Sequence, residues 1–193
     1  MKRSILLSLL ALAALCLTAG CHPPWQVVRQ IVPNPMLGQH DFVIMPIDFA
    51  GVQVGSGSEA SYLADKDGDS RRSWADDKAM MNQQFASAFR GHAQEDGIRV
   101  MPPSQAANFI IHPKVVFIEP GFYTHFVNRG SEVQMFITIS AADGTILDEL
   151  TMAHGTAATM TTAAISFRLE DDAQSLGRYA ARYLLTRVTG AED

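Results

Sequence analysis

The sequence predicts an α+β domain: a mixed sheet of four to five strands with two helices packed on one face, in the order β-α-β-β-β-β-α. Three observations predict it. Residues 132–141 alternate, with Val133, Met135, Ile137 and Ile139 on one side. Asp143-Gly144 follows directly, a strong hairpin turn into a returning strand. Two other stretches, closing near Gly97 and Val188, repeat their apolar residues every three or four positions, which is the helical period.

The elements follow in order. Residues 42–49 (Phe-Val-Ile-Met-Pro-Ile-Asp-Phe) form a mostly apolar run suited to a buried strand. Residues 51–72 are rich in Gly, Ser and Asp, and a connection of that length within a small domain is either functional or mobile. Ser73 with Asp76 resembles a capping box and Asp77 adds negative charge, so a helix is expected to start there. Met81, Phe85, Ala88, Phe89 and His92 share its apolar face, and Gly97 ends it as a C′ glycine. Ile98-Arg99-Val100 reads as a short strand stopped by Pro102-Pro103. Residues 108–119 are β-rich, with Pro113 implying an edge position or a bulge. After the 145–154 strand, a Thr/Ala-rich loop near 155–167 leads to the last helix. Glu170, Asp171 and Asp172 are expected in its first turn, and Arg182 and Arg187 come later, as the helix dipole prefers. Its core stripe is Leu176, Tyr179, Ala180, Tyr183, Leu184 and Val188.

Ahead of this domain the sequence reads as an address. Lys2 and Arg3 precede an apolar run over residues 5–17, then Thr18-Ala19-Gly20-Cys21. Two cations, a greasy stretch of this length and small residues at its end make a secretory signal rather than a spanning helix. Leu17-Thr18-Ala19-Gly20-Cys21 resembles the lipobox of bacterial lipoproteins, although Thr18 stands where Leu is usual. That resemblance implies cleavage before Cys21 and acyl chains on Cys21, so residues 1–20 are expected to be a lipoprotein signal peptide. Cys16 leaves with the signal and Cys21 is taken by lipid, so no disulfide is expected. His22, rather than the Asp that retains enteric lipoproteins in the inner membrane, favours the outer membrane facing the periplasm. Pro23, Pro24, Pro33 and Pro35 make residues 21–40 read as an acylated cysteine and semi-extended tether, with the domain at 41–190.

Composition narrows the function classes. Losing Lys2 and Arg3 while keeping every Asp and Glu takes the formal charge from −5 to −7. Without Lys/Arg clusters, such a chain is not expected to bind nucleic acid or to adhere electrostatically to anionic lipid. The strand at 42–49, the helix closing in Glu95-Asp96-Gly97-Ile98, the strand opening Ala107-Asn108-Phe109-Ile110-Ile111 and the last helix also carry a resemblance. Over about residues 40–190 their order is similar to a group of envelope domains. The group includes the amino-terminal domain of the Tol-system translocation protein, the lipoprotein activators of penicillin-binding proteins and the curli-secretion lipoprotein. The likeness lies in element order rather than diagnostic residues, and it implies binding and assembly more than catalysis.

Candidate chemistry is sparse. Asp65, Asp67 and Asp69 alternate, and Asp76 falls twelfth from Asp65, where a calcium loop wants its closing ligand. Gly68 sits fourth rather than sixth, and Asp76 also fits a helix cap. His112, His125 and His154 lie in or near strands but lack zinc-ligand spacing. Gly55-Ser56-Gly57-Ser58 is neither a nucleophile elbow nor a phosphate loop. Phe122, Tyr123 and Phe126 follow the Pro120-Gly121 bend. They either form an exposed partner-binding patch or, if the strand runs on, fill the core.

The expectation is therefore a non-catalytic, membrane-anchored accessory or assembly factor that binds another envelope protein, with no catalytic residues and no required cofactor. The rival is a binding module for a small ligand or calcium through the 51–72 loop.

Overall fold

Burial assigns the faces of the sheet. The computed structural model describes residues 23–124 and 126–191. Its strands are β1 (Trp25–Gln30), β2 (Asp41–Ile44), β3 (Gln53–Val54), β4 (Gly57–Ser58), β5 (Arg99–Met101), β6 (Phe109–Glu119), β7 (Phe122–Tyr123), β8 (Asn128–Arg129), β9 (Glu132–Ala141) and β10 (Ile146–His154). Its helices are α1 (Glu59–Ala64), α2 (Gly68–Glu95) and α3 (Ile165–Thr189). Along β9 the alternating set Val133, Met135, Ile137 and Ile139 is buried on the side where α3 lies. Gln134, Phe136 and Thr138 between them are exposed or half-buried on the other face. The α+β class stands as the sequence predicts, as one domain with two long helices on one face. Strands outnumber the four to five expected.

The main path runs β1-β10-β9-β6-β2-β5, with β3 against β6 and β4 against β3; β7 and β8 form a separate hairpin. The first four strands pair antiparallel, whereas β2 joins β6, and β5 joins β2, in parallel. Asp143-Gly144 makes the β9–β10 turn, with Gly144 at φ +88 and the Asp143 carboxylate accepting the Thr145 amide at 2.9 Å. Pro113 is not at the edge of the sheet, because it pairs with Ile137 inside it. Its missing N–H falls on the other side, just past the point where β2 ends, and the bulge comes later, between Val115 and Phe117. No helix among the described residues is long and apolar enough to cross a membrane.

Four boundaries differ from expectation. Residues 25–40 are not a tether. Trp25 to Gln30 pairs with β10, Trp25 is buried edge-on to Tyr183 at 5.9 Å, and Met36 is fully buried. The bulge between Val27 and Arg29 and the exposed edge hide the two-residue period that would have announced a strand. The 51–72 stretch is not a bare loop either, since β3, β4, α1 and the start of α2 lie in it. Helix α2 starts at Gly68 instead of after Ser73, because the Asp67 carboxylate accepts the Ser70 amide at 2.7 Å and caps it a turn earlier. Likewise α3 starts at Ile165, so Glu170, Asp171 and Asp172 fall after its first turn.

The N-terminal strand is locked by a buried carboxylate. Asp148, fully buried on β10, accepts the Ile31 amide at 3.1 Å, the Tyr183 hydroxyl at 2.7 Å and Arg187 Nε at 2.7 Å. Arg187 Nη2 returns to the Ile31 carbonyl at 3.1 Å, and Asn34 Nδ2 donates to the Arg187 carbonyl at 2.7 Å. Burial, and then the Asp148 carboxylate, push the Tyr183 hydroxyl well above its ordinary pKa.

Helices α2 and α3 run side by side in the same sense: Ser166 bonds Asp77, and Gln84 bonds Glu170 and Gln174. They come into backbone contact at Gly177, where an added Cβ would lie 2.5 Å from the Phe85 carbonyl oxygen. In an exposed helix Gly→Ala gains up to about 1 kcal/mol. Here Gly177→Ala should reverse that sign and cost about 1–3 kcal/mol, because two backbones must separate. Denaturant midpoints check this; a stabilised variant would show that the helices are not in such contact.

Candidate functional site

One end of the sheet gathers most of the molecule's candidate chemistry. There Glu119 closes β6 opposite Glu132, His154 closes β10 opposite Val133, and β1 begins with Trp25 opposite Met152. The β7–β8 hairpin, the 155–164 loop and the start of α3 crown the same end.

Arg168, fully buried in α3, ties these pieces together. It donates from Nη1 to the Thr162 and Ala163 carbonyls at 2.7 and 2.8 Å, and from Nη2 to the Pro120 carbonyl at 2.9 Å. Burial pulls its pKa below the ordinary value, and Asp172 opposes that pull. Asp172, also fully buried, accepts Ser131 Oγ at 2.5 Å on one oxygen. Its other oxygen lies 2.6 Å from Thr156 Oγ1 and 2.9 Å from His154 Nδ1. Thr156 also reaches Asp171, at 2.9 Å. Ligand atoms of His154, Asp171 and Asp172 lie within 4.8 Å of one another, a spacing that could hold a metal ion. Asp172 already carries three hydrogen-bond partners, which is the arrangement of a structural knot. Its order also differs from a nucleophilic relay: Asp172 stands between Ser131 and His154, so no imidazole receives the serine proton.

Beside the knot lies an open groove of about 770 Å³. Gly55, Tyr62 and Lys66 line one wall, and Glu119, Phe122 and Arg129 the other. The first wall is fixed through Glu59, which accepts Trp74 Nε1 at 2.7 Å and Lys78 Nζ at 2.5 Å. Burial pushes the Glu59 carboxyl up, but these two donors outweigh it and hold it below the usual range. Tyr62 packs at a tilt against Trp74, ring centroids 5.0 Å apart, and burial raises its hydroxyl pKa, with Asp77 and Glu119 adding to the rise. On the second wall Glu119 pairs with Arg129 at 2.8 Å and accepts the Gly121 amide at 3.0 Å. Gly121 (φ +64) is obligatory, since a Cβ would meet the Arg129 carbonyl oxygen at 2.3 Å.

The groove thus joins two segments that the sequence singled out separately, the 51–72 stretch and the aromatic bend. Phe122 is 46% exposed and Phe126 96% exposed on the hairpin, so these two rings do not fill the core. Tyr123 is half-buried.

The calcium arrangement does not assemble. Asp65 ends α1, Asp67 caps α2, and Asp69 pairs with Arg72 in the first turn. Asp76 lies seven residues beyond Asp69 on a continuous helix, a rise of roughly 10 Å, too far for two carboxylates to share an ion. Among the described residues these four form no ligand cluster. His112 and His154 lie on opposite faces of the sheet, bonded to Ser140 at 3.0 Å and to Asp172, and His125 lies outside the described residues. Cys21 also lies outside them. Sequence reasoning missed Ser131, His154, Thr156 and Arg168 as a unit. The one readable signal was the spacing of four between Arg168 and Asp172.

No protein-family model and no curated protein matches the chain. Solved structures that match include a PelC dodecamer variant from Paraburkholderia phytofirmans, at 12% identity over 80% of this chain and 95% of that one, TM-score 0.40. Another is the hypothetical protein CT253 from Chlamydia trachomatis, at 7% identity over 79% of this chain and 99% of that one, TM-score 0.46.

The two neighbouring aspartates should separate cleanly on substitution. Asp172→Ala leaves Arg168 buried without its countercharge and takes the acceptor from Ser131 and His154, while Thr156 keeps Asp171, so it should cost about 3–5 kcal/mol of unfolding free energy. Asp171→Ala, at an exposed position, should stay within about 0.5 kcal/mol. Equal effects in urea unfolding would refute the knot.

Proposed function

We propose that this chain is a bacterial envelope lipoprotein, acylated on Cys21, whose α+β domain serves as a non-catalytic accessory or assembly factor by binding another envelope component. The observation that carries the reading is Leu17-Thr18-Ala19-Gly20-Cys21 at the end of a charged-then-apolar leader. Several acyl chains on one cysteine, each methylene contributing about 0.8 kcal/mol, make a durable anchor. His22 favours the outer membrane, facing the periplasm.

The groove supports a macromolecular partner over a small ligand. It is an open trough whose two walls offer the half-buried ring of Tyr62 and the Arg129–Glu119 pair. Aromatic and arginine side chains are the usual anchors of protein interfaces, whereas small-molecule sites enclose most of their ligand.

In-cell crosslinking of the tagged chain, followed by mass spectrometry of both Cys21 and the captured proteins, tests the proposal. The expected result is an acylated Cys21 and one recurrent envelope partner, lost with Cys21→Ser and weakened by Arg129→Glu. Capture of the same abundant proteins by all three forms would contradict it.

A further inference from the structure

We infer that the end of the domain carrying the β7–β8 hairpin is itself a membrane-seating surface, whose occupant is the lipid bilayer that holds the Cys21 anchor. The inference rests on the acylation reading and adds to it an orientation.

Two independent features meet at this end. The first is where the anchor enters. Cys21 precedes Trp25 by four residues, at most about 14 Å of extended chain. Trp25 is itself fixed: it is 5% exposed, opposes Met152 on β10, and packs on Tyr183. An acyl chain on Cys21 therefore holds this end of the sheet against the lipid, with no tether to lift it away. The opposite end carries the Asp143-Gly144 turn and the close of α3, a whole strand length from the membrane.

The second feature is what stands exposed there. Phe126 at the tip of the hairpin is 96% exposed, and its neighbour Val127 60%. Met160 in the crowning loop and Phe167 in the first turn of α3 are 82% and 64% exposed. Phe122 projects from the same hairpin. Of the ten exposed large apolar side chains among the described residues, Val27, Val28 and Val116 lie on strands and Val32 and Leu37 follow β1, whereas these five, with all the exposed phenylalanines and the methionine among them, gather at the end where the anchor enters. Buried Arg168 braces the hairpin, the loop and the helix start against one another through the Pro120, Thr162 and Ala163 carbonyls. The apolar residues thus ride on a braced platform. Charge does not drive the contact: Arg129 is paired with Glu119, and the chain is acidic overall. Shallow burial of phenylalanine and methionine at the headgroup–acyl boundary does.

The test uses the acylated full chain in vesicles of phosphatidylethanolamine and phosphatidylglycerol. Acylation consumes the Cys21 thiol, so Phe126→Cys and, separately, Asp143→Cys each present one thiol for an environment-sensitive dye. Phe126 is almost fully exposed, so the substitution leaves the core untouched. The expected result is a blue-shifted dye at 126 that acyl-brominated lipid quenches about twofold or more, with a dye at 143 that it leaves unquenched. Adding Phe122→Ser and Met160→Ser should move the dye at 126 towards water. If the dye at 126 reports water as the dye at 143 does, the seating surface is overturned and the anchor stands. A dye at 126 shielded from water yet unquenched by brominated lipid would mean a protein contact instead, and also overturns it. Absence of acyl groups on Cys21 by mass spectrometry overturns the lipoprotein reading and the surface with it.

Discussion

The fold turns on a carboxylate buried inside the sheet. Asp148 lies in the sheet at 0% exposure, and leaving it unpaired would cost several kcal/mol. Every partner that prevents this comes from a distant part of the chain: Arg187 and Tyr183 from the last turns of α3, and the Ile31 amide from the exit of β1. Satisfying one charge thus fixes three things at once: the end of α3 over the sheet, the register of β1 on β10, and the path of residues 31–38. Gly38 and Asn34 then close on the Val188 and Arg187 carbonyls at 2.8 and 2.7 Å, which completes the helix end.

The same helix repeats the device at its other end. Asp172 collects Ser131, Thr156 and His154 while Arg168 collects three carbonyls, so α3 is bonded to the sheet and loops at both extremities. Between them Gly177 lets α2 close to backbone contact. A helix held at both ends is a rigid strut. The groove and the exposed hairpin sit at the Asp172 end of that strut, so whatever binds there meets a preformed surface, which lowers the entropic cost of association.

Much of this was legible in the sequence and some was not, for identifiable reasons. The β9–β10 hairpin could be read because alternation and Asp143-Gly144 are local signals, and α2 and α3 because their stripes are long. β1 escaped because an edge strand with a bulge shows no clean period and its prolines imitate a linker. The start of α2 is ambiguous in the sequence because the chain holds two capping patterns, at Asp67 and at Ser73, and it is the Asp67–Ser70 hydrogen bond, seen only in the fold, that sets the earlier one. Asp65, Asp67, Asp69 and Asp76 suggested a loop because their spacing was counted along the chain, whereas a continuous helix sets it in space. The Asp148 and Asp172 clusters join residues up to 156 positions apart, and no short window contains them.

The central claim is that residues 25–31 are a structural strand clamped by Asp148 and not a free tether. Amide hydrogen exchange of the full chain tests it most directly. The account predicts that the Ile31 amide and the paired β1 amides are protected to a degree approaching that of β10, and that Asp148→Asn releases them before the β6–β9 core. Exchange of the Ile31 amide at the rate of an unstructured peptide, with β10 still protected, would contradict it and restore a tether.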